Sequence, residues 1–177
     1  MKKTIIKLSI IILVVGVLGY LGVQITHKLK VKKEMAEKIA MLPEFTFYKL
    51  NGEEFSKKDL KPDMPVVVFH FNPDCENCQH ETMDITEHIS MLEGSQIMMV
   101  SGKSKEKIDT FVTYFKLNEH PEIVVLHDRN DKFFDVFALG MYPATLIYSS
   151  KQELVKYYKG EVRIEAIKKC IEGKVTE

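Results

Sequence analysis

Residues 65–81 read PVVVFHFNPDCENCQHE, and this stretch holds both the predicted centre of the fold and its chemistry. The run VVVFHF after Pro65 is apolar on both of its faces except for one histidine, which predicts a central strand buried on both sides. Helical periodicity begins directly afterwards and predicts a helix over residues 75–92. Cys75 and Cys78 therefore lie where a buried strand gives way to a helix.

The sequence on either side of this stretch predicts an α/β sheet. Before it, FTFYKL and EEFS alternate around Asn51-Gly52, a strong signal for an amino-terminal β-hairpin. After it, the pattern predicts a strand at 96–101, a helix at 104–116, a strand at 123–126, a short helix around 132–138, a hairpin in PATLIYSSKQELVKYYKGE and a closing helix at 161–172. Alternating strands and helices indicate a mixed central sheet flanked by helices.

The amino-terminal segment has a different character. Between Lys7 and His27 the chain carries no charge and is almost wholly aliphatic. At about 1.5 Å per residue, residues 8–26 just span a hydrocarbon core about 30 Å thick. The sequence therefore predicts a single transmembrane helix within residues 1–27, an uncleaved signal anchor in contact with the lipid bilayer. A cleaved signal peptide, which also starts with positive charge, stays open as an alternative.

Charge separates this segment from the rest of the chain. Residues 28–43 predict a helical linker, and residues 44–177 form the predicted soluble domain. Of 25 basic and 25 acidic side chains, residues 1–33 hold seven lysines and no acid, which leaves 18 basic against 25 acidic in residues 34–177. An acidic domain without a basic stripe argues against binding of nucleic acid.

The spacing of CENC is typical of redox-active cysteines. At a helix amino terminus, Cys75 faces unpaired N–H groups and the positive end of the helix dipole, which favours a thiolate and predicts the attacking nucleophile. Cys78, one turn further on, is predicted to resolve the mixed disulfide. The alternatives are half of a zinc site and a structural disulfide. No second CxxC follows, His80 and His88 are badly placed as ligands, and so small a loop gains little stability.

Three motifs in order, LPEFTFYKLNGEEF, PVVVFHFNPDCENCQHE and MYPATLIY, resemble the TlpA/ResA-like branch of membrane-anchored redox proteins in the AhpC/TSA-redoxin superfamily. The resemblance implies a thioredoxin-like fold with the Cys75–Cys78 disulfide as its only redox group, no other cofactor and no metal. It further implies that Glu81 transfers protons, that Pro143 is a cis-proline, and that Tyr142 pairs with an extended substrate. A solvated surface carboxylate and an ordinary trans-proline are the alternatives for Glu81 and Pro143.

The chain also departs from that family. Asp74 stands where the family usually has Trp, and Glu76 follows Cys75. Both carboxylates oppose formation of the Cys75 thiolate, so the redox potential of the family cannot be carried over to this chain. Asp74, Glu76 and His80 are therefore candidate modulators of the cysteine pair. Three other residues are predicted to be structural, namely His70 in the core, His127 at a strand end and Cys170 in the last helix.

The predicted function is thiol-disulfide exchange with exported proteins, acting as a reductant that a membrane thiol-reducing partner regenerates. The soluble domain is expected on the periplasmic or extracytoplasmic side of a bacterial plasma (inner) membrane. Members of the TlpA/ResA-like family often reduce the haem-attachment cysteines of apocytochrome c, so the resemblance makes apocytochrome c a candidate client. A thiol peroxidase is disfavoured because Asn72 replaces the Thr that peroxiredoxins need. A copper or haem chaperone is the other alternative, although residues 139–145 contain no His and only Met141 as a soft ligand.

Overall fold

The structure, a computed structural model, describes residues 2–174, and their side chains from residue 16 onwards. Contacts divide the chain into one unit up to Glu37 and a second from Lys38. Helix α1 spans Lys2–Ile39 and so supplies all that is described of the first unit. Among residues 16–174, whose side chains the structure describes, no helix combines the length and apolar character that crossing a membrane requires. The predicted anchor begins before this range, and the side chains of its residues before residue 16 lie outside the described residues.

The second unit holds one mixed sheet with helices on both faces. Its strands are β1 (Thr46–Lys49), β2 (Glu54–Ser56), β3 (Val66–His70), β4 (Gln96–Ser101), β5 (Ile123–His127), β6 (Ala144–Tyr148) and β7 (Leu154–Lys159). Its α-helices are α2 (Glu76–Glu87), α3 (Lys105–Tyr114), α4 (Phe133–Phe137) and α5 (Ile164–Ile171), with 3-10 turns at Lys57–Asp59, Ile89–Leu92 and Leu117–Glu119. The strand order is β2-β1-β5-β4-β3-β6-β7, in which β3, β4 and β5 are parallel and all other neighbours antiparallel.

The predicted amino-terminal hairpin is confirmed. Its turn places Gly52 at φ +96°, a conformation that side chains disfavour, and the Asn51 side chain accepts a hydrogen bond from the Glu53 N–H at 3.0 Å. Strand β1 then pairs with β5, so the hairpin extends the sheet on the side away from the cysteines.

Strand β3 confirms the central buried strand, since all five of its residues are buried between β4 and β6. The Phe71 N–H still bonds the Val100 carbonyl at 3.0 Å, and then the chain leaves the sheet. The turn that follows carries Cys75 to the start of α2. The edge of the sheet at the end of β3 therefore positions the cysteine pair.

The predicted helix over residues 75–92 is too long. Helix α2 ends at Glu87, and His88 leaves helical geometry with φ −121° and ψ 26°. The His88 ring nitrogen lies 3.1 Å from the Asp84 carbonyl oxygen, so the side chain caps the end of the helix. The tighter 3-10 turn that follows buries Leu92 fully.

Helix α5 also begins later than predicted, at Ile164, where side chains of α2 hold the backbone on either side of Arg163. The Glu81 and Asp84 carboxylates accept hydrogen bonds from the N–H groups of Val162 and Ile164, at 3.2 and 2.9 Å. Arg163, between them, is extended. Side chains of α2 therefore satisfy backbone donors that would otherwise be orphaned at the amino terminus of α5.

Candidate active site

Cys75 caps the amino terminus of α2. It has extended dihedral angles, and its carbonyl accepts the first helical hydrogen bond, from the Gln79 N–H at 3.0 Å. Its side chain is half-buried, and the thiol sulfur lies 4.0 Å from the Tyr142 carbonyl oxygen. This position combines access for a reaction partner with the positive end of a helix dipole, as an attacking thiol requires.

Cys78 is the opposite of Cys75 in exposure. It has no accessible surface, and its sulfur accepts a hydrogen bond from the Asn72 N–H at 3.5 Å. Burial raises the pKa of the Cys78 thiol far above its ordinary value, and the neighbouring Cys75 and Glu81 raise it further. Cys78 therefore stays protonated until a base removes its proton. Both cysteines are free thiols in this structure.

Glu81 supplies a titratable group beneath the pair. The carboxyl is 1 % exposed, and its two oxygens accept hydrogen bonds from the Thr145 hydroxyl at 2.7 Å and the Val162 N–H at 3.2 Å. Burial raises its pKa to about 8, and the charges of Glu161 and Asp84 add to the rise, while the two hydrogen bonds oppose it. The solvated-surface alternative for Glu81 is therefore wrong. A carboxyl with this pKa exchanges protons near neutral pH.

The loop before β6 faces Cys75. Its Tyr142–Pro143 peptide bond is cis, Pro143 is buried, and the Pro143 carbonyl accepts a hydrogen bond from the Gly160 N–H at 2.9 Å. Thr145, two residues further on, binds Glu81. Strand β6 and the loop before it thus contact both the half-buried Cys75 thiol and the buried Glu81 carboxyl.

Comparison with known proteins places this geometry in a family. The model of the AhpC/TSA family matches residues 40–157, which is more than half of the chain. The chain belongs to the AhpC/TSA family. No curated protein matches it significantly.

Solved structures share the fold of this AhpC/TSA domain. A secreted Mycobacterium tuberculosis disulfide oxidoreductase homologous to E. coli DsbE aligns with a TM-score of 0.63 and 16% identity, over 77% of this chain and 98% of that one. Peroxidoxin BcpB from Mycobacterium tuberculosis gives 0.64 and 12%, over 77% and 96%. A putative thioredoxin from Neisseria meningitidis gives 0.60 and 20%, over 75% and 88%. The thioredoxin-like α/β fold with a mixed sheet is confirmed.

The three candidate modulators differ in their surroundings. Asp74 forms an ion pair with Lys107 of α3 at 2.6 Å, so its charge is not the unopposed negative charge that the sequence suggested. Glu76 is exposed in the first turn of α2. His80 is exposed, and its ring nitrogen lies 3.9 Å from the carboxylate of Glu161.

Lys107→Met is expected to slow alkylation of Cys75 by iodoacetamide at pH 7 about twofold, because it leaves the Asp74 charge unpaired beside the thiol. The effect is small since the paired side chains are 54% and 56% exposed. Lys105→Met is the matched control, because Lys105 lies on the same helix and pairs at the same distance, 2.6 Å, with Asp109 instead. Equal rates for the two variants would contradict a role for the Asp74–Lys107 pair.

Sequence reasoning missed two residues of this AhpC/TSA site, Thr145 and Lys107. Thr145 binds the buried acid, and its signal was a lone hydroxyl in the otherwise apolar strand ATLIY. Lys107 had no signal, because its partner Asp74 lies 33 positions away.

Two residues that the sequence predicted to be structural lie where they were expected. Cys170 is buried, 3.6 Å from the Tyr158 hydroxyl, and His127 ends β5. Within residues 2–174, no cluster of three or more His, Cys, Asp or Glu side chains is arranged to hold a metal ion.

Proposed function

We propose that this AhpC/TSA protein is a thiol-disulfide oxidoreductase of the TlpA/ResA-like type that reduces disulfides in other proteins. The difference between its two thiols carries the proposal. Cys75 is half-buried at a helix amino terminus, and Cys78 is wholly buried with a raised pKa. Such a pair attacks with the first sulfur and resolves with the second.

The proposed reaction has two exchange steps. The Cys75 thiolate attacks one sulfur of the client disulfide, which forms a mixed disulfide and releases the other client sulfur as a thiolate. Cys78 then gives its proton to the Glu81 carboxylate and attacks the Cys75 sulfur, which releases the second client thiolate. The client gains two electrons, and the protein is left with a Cys75–Cys78 disulfide that a partner dithiol must reduce.

The loop that faces Cys75, which contains Met141, Tyr142 and Pro143, is the proposed client-binding loop. The carbonyl of Tyr142 lies 4.0 Å from the Cys75 sulfur, where an extended peptide can pair with it. Pairing through backbone atoms holds a client cysteine beside the attacking thiol without selecting its side chains. Tyr142 and Pro143 are therefore proposed as substrate-binding residues.

Redox titration tests the proposal. Full-length protein is equilibrated in glutathione or dithiothreitol buffers of graded potential, alkylated and weighed by mass spectrometry. We expect one reversible two-electron couple that Cys75→Ser abolishes and Cys170→Ser leaves unchanged. A pair that never re-reduces, or copper that stays bound at stoichiometry through gel filtration, would refute the oxidoreductase and favour a metal chaperone.

We also propose that the domain lies outside a bacterial plasma membrane, held by the uncharged segment between Lys7 and His27. Exported proteins, including apocytochrome c, are then the proposed clients, and a membrane thiol-reducing protein is the proposed partner. Protease added to intact spheroplasts should digest the domain. Full protection under conditions that degrade a known exported protein would overturn this location.

A further inference from the structure

His70 is a buried histidine that the proposed reaction does not use. It is the last residue of β3, and its side chain is on the sheet face that α4 covers. The ring is 3% exposed and stacks on Phe133, with centroids 3.7 Å apart and planes 9° apart. The His70 ring also packs against the Tyr142 ring, with the two centroids 4.4 Å apart. The histidine therefore lies between the core and the client-binding loop.

A hydrogen bond joins His70 to the same loop. Its Nδ1 lies 3.2 Å from the Met141 carbonyl oxygen. A carbonyl has no proton to donate, so Nδ1 must carry the hydrogen. Burial, aided by the charge of Lys103, lowers the pKa of His70 to about 4, and the ring is neutral at physiological pH. The ring is thus fixed as the Nδ1–H tautomer.

The hydrogen bond from His70 holds the carbonyl of Met141, the residue directly before the one whose carbonyl faces Cys75. Met141 immediately precedes Tyr142, whose carbonyl lies 4.0 Å from the Cys75 sulfur. The Met141 side chain is 43% exposed and does little to hold the loop, whereas the Lys103 ammonium lies 5.4 Å from the Tyr142 ring centroid. The Nδ1–H donor therefore ties the backbone of the loop to the end of β3.

We propose that His70 is a positioning residue, whose Nδ1–H fixes the Met141 carbonyl so that the backbone of Tyr142 presents a client peptide to Cys75. This inference rests on the proposed function, because it concerns the binding of the client. A disulfide too small to pair with the loop does not need this help. His70 should therefore matter for protein disulfides and not for small ones.

Three substitutions separate the donor from the ring. His70→Phe keeps a ring against Phe133 and removes the donor. His70→Asn keeps a donor at the same number of bonds from the backbone as Nδ1, and His70→Gln places its amide one bond further out. Thermal unfolding of each full-length variant establishes that it folds.

The readout compares insulin with hydroxyethyl disulfide as substrates. We expect His70→Phe and His70→Gln to lower kcat/KM for insulin about five- to tenfold, as expected for loss of one positioning hydrogen bond. Hydroxyethyl disulfide turnover and the redox potential should change less than about twofold, and His70→Asn should recover most of the insulin activity. Equal losses for both substrates, or no difference between the Asn and Gln variants, would overturn the inference.

A second measurement is independent of turnover. The ¹⁵N shifts of the His70 ring in the wild-type protein report which nitrogen carries the proton, and we expect Nδ1–H at pH 7. An Nε2–H tautomer would overturn the inference, because Nδ1 could then not donate to Met141. A wild-type protein that reduces neither substrate would instead refute the proposed function. The ¹⁵N shifts would still show whether His70 donates a hydrogen bond to the Met141 carbonyl.

Discussion

Cys78→Ser is expected to trap the protein on its client as a stable mixed disulfide, and Cys75→Ser to abolish exchange. The reason is the unequal exposure of the two sulfurs. Cys75 is reachable from solvent, while Cys78 has no accessible surface and can attack only the sulfur of Cys75 beside it. Removal of either sulfur should lower steady-state turnover by about a thousandfold or more, because each step needs its own nucleophile.

Mass spectrometry of the variants after mixing with a disulfide-containing peptide checks this expectation. Cys78→Ser should gain the mass of one peptide strand, and dithiothreitol should remove it. Cys170→Ser is the control, since Cys170 is buried in α5 and should leave turnover unchanged. An adduct on Cys75→Ser, or free turnover by Cys78→Ser, would contradict the assigned roles.

Glu81→Gln is expected to stabilise the protein at alkaline pH. The pKa of Glu81 is about 8 in the folded protein against 4.5 ordinarily, so between these values the folded state holds a proton that the unfolded state has lost. The unfolded state then binds fewer protons, and the free energy of unfolding falls as pH rises, by up to about 5 kcal/mol across that window. Below pH 4.5 both states are protonated and the effect vanishes.

A glutamine fits the same hydrogen bonds without a charge. Its oxygen can accept from the Val162 N–H, while its amide donates to the Thr145 hydroxyl, which rotates to accept. Urea unfolding at several pH values should therefore give a flatter profile for Glu81→Gln, with the gain largest above pH 8. Glu87→Gln, at the exposed end of the same helix, should follow the wild-type profile. Parallel profiles for Glu81→Gln and wild type would contradict the raised pKa.

The same substitution should slow the chemistry. Without a carboxylate to accept the proton of Cys78, the resolving step should slow about a hundredfold, a usual loss for a missing general base. Rapid-quench measurement of the mixed disulfide should show a longer-lived intermediate and an unchanged rate of its formation. A loss in the first step alone would assign Glu81 to Cys75 instead.

Local patterns in the sequence were sufficient for most of the secondary structure. The apolar run of β3, the Asn51-Gly52 turn and the order of the elements around them were all predicted, because each depends on periodicity or turn chemistry within a few residues. The errors lay at helix ends. His88 ended α2 early through a side-chain cap on Asp84, and such a contact competes with periodicity without a strong pattern of its own.

The sequence by itself determined the cysteine pair at the end of a buried strand, because the spacing of CENC and the pattern around it are local. Only the tertiary structure decided the surroundings of that pair. Glu81 acquires its raised pKa because packing removes it from water, and the hydrogen bond from Thr145, 64 positions away, opposes that rise only in part. His70 meets Met141 across 71 positions. Desolvation and long-range contacts depend on how the elements pack, and residue spacing along the chain does not encode them directly.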